Sequence, residues 1–273
     1  MSRSSASGRI ESRFEALRSK GEKALIPFVT AGDPDLETSF EMVIALAEAG
    51  ADVIELGVPF SDPIADGPVV QRAGERALAS GTSLRRVLEL VAGLRQRTQV
   101  PIVLMGHANP FYALGAEAFA RAAAEAGVDG VIVSDLPPEE GGDLFGACQA
   151  AGVDAILLAA PTTTPERLAM LVAQTRGFLY AVSLTGVTGS RTELAAGIEE
   201  RVRAAKALSA MPVCVGFGVS TAEHAREIGR YADGVVVGSA IVERMERADS
   251  KAEAVRDVSK FVGELKKAVG GAR

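Results

Sequence analysis

Two acids in one short stretch carry the first chemical signal of this chain. Glu55 is a carboxylate inside the aliphatic run Val53-Ile54-Glu55-Leu56-Gly57. Such a run reads as a strand, in which successive side chains point to opposite faces. Ile54 and Leu56 are natural neighbours of a helix layer, so Glu55 points the other way, into the centre of the fold. A carboxylate taken out of water without a partner is costly and its pKa rises. That is how a group becomes a usable general acid or base near neutral pH. The competing reading is a structural carboxylate paired in the interior, but no Arg or Lys is predicted in a neighbouring strand. The loop that follows, Val58 to Pro68, is rich in turn residues and holds Asp62 and Asp66. Taken singly, either acid fits a turn or a cap. Glu55 and Asp66 together, at the top of one strand unit, make the stronger case for chemistry.

A second constellation lies near the end of the chain. Gly216-Phe217-Gly218-Val219-Ser220 follows one predicted strand and Gly238-Ser239 follows the next. Glycine lets backbone N–H groups approach an anion, and a helix opening at Ser239 adds a favourable dipole. One GxG says little; two glycine turns after adjacent strands point to phosphate. The polar run Leu184-Thr185-Gly186-Val187-Thr188-Gly189-Ser190-Arg191 fits a water-excluding lid and a plain connecting loop equally well. Alternation turns Tyr180 inward, either to fill the core or to line a pocket. His107 follows a predicted strand and could line the same mouth, whereas His224 sits in a predicted helix. There is no HxH or HExxH and no cluster of Cys with His, which argues against a metal. No lysine lies in a strand interior after Lys23, as a Schiff-base mechanism would need.

The elements that position these residues come from a recurring pattern: an Ala-rich helix end, a turn, an Asp, then a short aliphatic run. It appears at Ala47–Gly57, Ala124–Asp135, Gln149–Ala160 and Arg230–Ser239. Gly50, Gly127 and Gly152 suit the left-handed conformation that closes a helix. Four more strands fit at Ala24–Thr30, Ile102–Met105, Gly177–Ser183 and Pro212–Gly216, with helical stretches between, such as Leu84–Leu94 and Arg201–Leu208. Eight strand–helix units predict a closed (β/α)₈ TIM barrel, whose active sites sit at the carboxyl ends of the strands. An open doubly wound sheet remains the alternative, but Thr30-Ala31-Gly32-Asp33-Pro34 is not its GxGxxG fingerprint. Arg9–Lys20 predicts an extra N-terminal helix that plugs the bottom, and Lys251–Val269 the last outer helix. The expectation is one domain over residues 1–273, with 1–8 as a disordered tail.

A 48% share of hydrophobic residues allows a large core. A formal charge of −6, with no dense Lys/Arg stripe, argues against nucleic acid. Cys148 and Cys214 read as small core residues, not a disulfide framework. No apolar run suits a signal peptide or a membrane span, so the expected setting is cytoplasmic.

The run Ile54-Glu55-Leu56-Gly57-Val58-Pro59-Phe60-Ser61-Asp62-Pro63-Ile64-Ala65-Asp66-Gly67 closely resembles the signature of the tryptophan synthase α subunits. The likeness extends to Pro27–Pro34, Met105–Pro110, Ser134–Pro137, Gly186–Gly189 and Gly216–Gly218, leaving out only the residues before Arg9. It implies reversible cleavage of indole-3-glycerol phosphate to indole and glyceraldehyde 3-phosphate. It also implies roles: Glu55 as proton shuttle, Asp66 as acceptor of the indole N–H, and Gly189, Gly218, Gly238 and Ser239 on the phosphate. Phe28 and Phe217 would enclose the indole beside Tyr180, and Thr188 would close onto Asp66. Two departures stand out: Leu184 where some members carry Arg, and His107 where an aromatic residue is common. The implied partner is a β subunit in an α₂β₂ assembly. That subunit, not this chain, would hold pyridoxal phosphate. Val58–Gly67, with Asp62 on its edge, and Asn109-Pro110 would form the docking surface.

Overall fold

The aliphatic runs pair with one another side by side, all in one direction. In a computed structural model that describes residues 8–183, 191–216 and 218–271, they form nine strands. These are β1 (Ala24–Thr30), β2 (Ile54–Gly57), β3 (Ile102–Gly106), β4 (Gly130–Val133), β5 (Asp154–Ala155), β6 (Leu158–Ala159), β7 (Leu179–Val182), β8 (Val213–Gly216) and β9 (Gly234–Val237). All pairings are parallel, in the order β5-β4-β3-β2-β1-β9-β8-β7-β6. The helices are α1 (Arg9–Lys20), α2 (Leu36–Glu48), α3 (Pro68–Ala79), α4 (Leu84–Leu94), α5 (Ala108–Leu114), α6 (Ala116–Ala126), α7 (Gly142–Ala150), α8 (Pro165–Gln174), α9 (Arg191–Leu208), α10 (Ala222–Gly229), α11 (Ser239–Arg247) and α12 (Lys251–Gly270).

One expected strand is broken in two. Around Ile156 and Leu157 the chain changes partners, which yields nine strands where eight were expected. Ile156 N–H donates to the Val131 carbonyl at 3.0 Å on the β4 side, and the Leu157 carbonyl accepts from Tyr180 N–H at 3.0 Å on the β7 side. Between them, Leu157 N–H turns to the buried Thr175 Oγ1 at 3.1 Å, so the ladder is interrupted there.

Alternation along the strands builds two cores. Ile54, Leu56, Leu104 and Val131 belong to the large cluster shared with the helices. Ile26, Val53, Val103, Ile132, Ile156 and Val236 form the inner cluster, which also receives Ile10, Phe14 and Leu17 of α1. Gly50, Gly127 and Gly152 do carry positive φ, at 101°, 86° and 84°, where a side chain would be strained.

The recurring Asp has a job that its pattern did not reveal. Asp52, Asp129 and Asp233 each accept from a backbone N–H of an adjoining strand: Leu25 at 2.7 Å, Ile102 at 2.7 Å and Val213 at 3.0 Å. Cations complete each site: Arg13 and Lys266 at Asp52, Arg9 and Arg95 at Asp129, Lys206 at Asp233. Asp154, the fourth, is different. Burial pushes its carboxyl up to about 6, the charges of Asp129 and Glu11 add to this, and Arg176 partly offsets it. The folded chain therefore holds a proton there near pH 5 that the unfolded chain releases, so this group lowers stability as pH rises from about 4 to about 6. Asp154→Asn should stabilise the protein by roughly 1–2 kcal/mol at pH 7.5, with no gain at pH 4. Urea unfolding at both values tests this; equal effects at the two would contradict it.

Candidate active site

The carboxyl ends of the strands surround a cavity of about 480 Å³. Strand β2 delivers Glu55 to it, in register with Phe28 of β1 and Val103 of β3. Glu55 is only 1% exposed, and its Oε1 has no hydrogen-bond partner. Burial raises its pKa to about 8, and the charge of Asp66 adds to the effect. Neither Arg nor Lys is among the described residues lining the cavity, so no cation there reverses the shift. A carboxyl in this state is protonated at neutral pH and can both give and take a proton.

Asp66 reaches the same cavity from the loop after β2. Its N–H donates to the Pro63 carbonyl at 3.0 Å, and its carbonyl accepts from Gln71 Nε2 at 2.9 Å. Gly67 and Pro68 then start α3, with proline at a position where its missing N–H costs nothing. The loop is thus tied to a helix start that holds Asp66 at the cavity wall. Burial raises the Asp66 pKa, the neighbouring His107 works against that rise, and the Asp135 charge reinforces it.

Tyr180 and Phe28 line the cavity with Glu55. Two glycines make room for them. A Cβ on Gly216 would lie 2.1 Å from the Tyr180 hydroxyl, and one on Gly57 would lie 2.6 Å from Phe28 Cζ. Burial, with Glu55 nearby, pushes the Tyr180 hydroxyl well above its ordinary range, so it stays a neutral phenol.

Gly218, Gly238 and Ser239 border the cavity as well. Gly218 has φ 78°, and Gly238 precedes α11 without any side-chain capping bond. The leading amides of α11, at Ser239 and Ala240, are therefore left at the cavity wall. A helix end of this kind favours an anion. Crystals soaked with glycerol phosphate or sulfate should show the anion at Gly218, Gly238 and Ser239. An anion held instead by Lys or Arg side chains elsewhere would overturn this expectation.

Other residues singled out in the sequence divide clearly. Leu184, Thr188, Gly189 and Phe217 lie outside the described residues. Asp62 and Asn109 are exposed and stand off the cavity. Asp62 accepts from Ser61 Oγ at 2.5 Å. Ile64, on the same loop, is 85% exposed, a large apolar side chain the sequence reading passed over. Cys148 and Cys214 are buried free thiols. His224 lies in α10, 3.5 Å from Ser220 Oγ. Among the described residues no three His, Cys, Asp or Glu side chains are grouped to hold a metal ion.

The sequence reading also missed Thr30, Met105, Ser134 and Asp135. Thr30 and Ser134 line the cavity, and Asp135 acts on Asp66 electrostatically. A signal was available for each polar one: a hydroxyl or acid at the last residue of a strand or just beyond it. Thr30 Oγ1 is buried without a partner, as is Glu55 Oε1.

The sequence model described as tryptophan synthase alpha chain matches residues 14–270. That span includes both acids and both glycine turns. The chain belongs to the tryptophan synthase alpha chain family. Among its relatives, the tryptophan synthase alpha chain of Geobacter sp. (strain M21) is 53% identical over 261 residues, covering 96% of this chain and 97% of that one. The one from Burkholderia thailandensis is 51% identical over 265 residues, covering 97% of each. The crystal structure of tryptophan synthase subunit alpha from Legionella pneumophila superimposes with a TM-score of 0.89 at 38% identity, covering 97% of this chain and 99% of the other. Family membership thus spans nearly the whole chain, and the cavity with Glu55 and Asp66 falls wholly within it.

Proposed function

We propose that this chain cleaves indole-3-glycerol phosphate reversibly to indole and glyceraldehyde 3-phosphate, the α reaction of tryptophan biosynthesis. The observation that carries the reading is Glu55: a buried carboxyl with Oε1 unpartnered, raised to about 8, at a cavity also lined by Gly218, Gly238 and the N-terminus of α11. Glu55 gives its proton to indole C3, which places positive charge on the ring nitrogen. Asp66 accepts the N–H and stabilises that charge. Glu55, now a carboxylate, takes the proton of the adjacent side-chain hydroxyl. The C–C bond then breaks, its electron pair restores the aromatic ring, and the alkoxide carbon becomes the aldehyde. Glu55 ends protonated, as it began. Gly189, Gly218, Gly238 and Ser239 hold the phosphate, while Phe28, Phe217 and Tyr180 enclose the indole and Thr188 closes onto Asp66.

The same reading treats the strands as a single closed (β/α)₈ barrel domain, with β5 and β6 as halves of one interrupted strand and α1 as the extra N-terminal helix. Its support is the pair of bonds that tie Ile156 to β4 and Leu157 to β7. The partner is a tryptophan synthase β subunit in an α₂β₂ assembly, docked through the Val58–Gly67 loop with Asp62, and through Asn109. The exposed Ile64 supports that choice of surface. Pyridoxal phosphate belongs to the β subunit and this chain needs no cofactor. The setting is cytoplasmic; no helix of the described residues is long and apolar enough to cross a membrane. Indole release from indole-3-glycerol phosphate, assayed with and without a β subunit, tests the proposal. No release under either condition would overturn it.

A further inference from the structure

His107 is the most unusual residue of the cavity wall. It is only 2% exposed, and its Nε2 is buried without a hydrogen-bond partner. A buried polar nitrogen left unpaired costs free energy, so it calls for a functional account. The ring is held in place: it lies against Phe60 with centroids 5.5 Å apart and planes at 34°. Its backbone is fixed too, because His107 precedes α5 and the next amide, Ala108 N–H, donates to Asp135 Oδ1 at 2.8 Å. Charged and titratable groups reach this cavity from several elements: Glu55 of β2, Asp66 of the loop after β2, Tyr180 of β7 and Glu243 of α11 line it with His107, and Asp135 after β4 acts on Asp66. Apart from the Tyr180 phenol all of these are acids, and His107 is the only described cavity-lining side chain with a nitrogen donor to offer them.

We propose that His107 is a positioning residue for Asp66, its Nε2 taking one carboxylate oxygen in the substrate complex and leaving the other for the indole N–H. This deepens the proposed α reaction and rests on it. The physical need is specific. Burial and the Asp135 charge both favour a protonated Asp66, which would be a poor acceptor, and the imidazole opposes them. Glu55 and Asp66 thereby keep different protonation states in one cavity, one able to give a proton and the other able to stabilise positive charge.

Two variants of the full chain test this. His107→Phe keeps the ring against Phe60 but removes the donor. His107→Gln places an amide nitrogen near the position of Nε2. The rate of indole release is measured against pH for wild type and both variants. His107→Phe should lower kcat about 10-fold or more while KM changes little, and the acid limb of its profile should move to higher pH. His107→Gln should bring that limb back towards wild type. Unchanged profiles in both variants would overturn the positioning role. So would a rise in KM with the acid limb in place, which is what altered pocket packing alone would give. An active wild type with unchanged profiles leaves the α reaction standing, whereas a wild type that releases no indole removes both readings.

Discussion

Glu55→Gln should release indole at a rate at least roughly 10³-fold below wild type, because one group serves both proton transfers and each step of general acid–base catalysis contributes on the order of 10²–10⁴. The amide keeps the shape of the side chain and cannot carry a proton. Stability should move the other way. The Glu55 carboxyl is raised to about 8, so the folded chain retains a proton that the unfolded chain releases. Stability is therefore lost progressively as pH rises from the ordinary carboxyl range through about 8. Removing the titrating group should leave Glu55→Gln more stable than wild type by roughly 1–3 kcal/mol at pH 9, less whatever the buried amide loses by lacking a partner. In the wild type, kcat/KM should decline above about pH 8 as the proton donor is lost. Near-normal turnover of the purified variant would end the assignment of Glu55. A stability difference between variant and wild type that does not shift in the variant's favour as pH rises from about 5 to about 9 would mean that Glu55 is a paired structural group.

Asp66→Asn should show the second-largest effect, a fall in kcat of about 10²–10³-fold with KM changed little. A neutral amide presents dipoles where the reaction needs an anion, and interactions formed with developing charge are the most expensive to lose. Uniform binding losses appear in KM, whereas interactions made only in the transition state appear in kcat. Steady-state kinetics separates the two. A variant whose principal defect is a raised KM would make Asp66 a ground-state binding residue and remove it from the charge-stabilising role. Comparison with His107→Phe adds a further check, since a residue acting through Asp66 should have a smaller effect than Asp66 itself and none in the Asp66→Asn background.

How much of this was legible beforehand depended on the kind of interaction. Strand periodicity, the glycines at helix ends and the strand position of Glu55 are local properties, set by sterics and by alternation over four to seven residues. They could be read from the chain alone, and the Ile54/Leu56 against Val53/Glu55 division fell as alternation requires. The break near Ile156 could not be read, because it arises where one segment changes pairing partners and Leu157 N–H meets a hydroxyl 18 residues away. The role of the recurring Asp was equally invisible. Its Oδ atoms reach backbone amides about 20 to 27 residues distant, and spacing alone does not show that the ends of neighbouring strands meet.

The site follows the same division. Sequence by itself determined that a lone acid stands in an aliphatic strand, that a second acid follows in a turn-rich loop, and that two glycine turns close adjacent strands. Tertiary structure decided that these share one cavity without a lysine or arginine on its described wall, which is why Glu55 stays protonated near neutral pH. It also decided that His107 shares that cavity with Glu55 and Asp66, close enough to act on Asp66, with Nε2 unpaired. Both are questions of solvation and of charge at a distance of a few ångströms. A pKa is set by what surrounds a group in space, and here those surroundings come from β2, the loop after it, and the ends of β3 and β4, brought together only when the sheet forms.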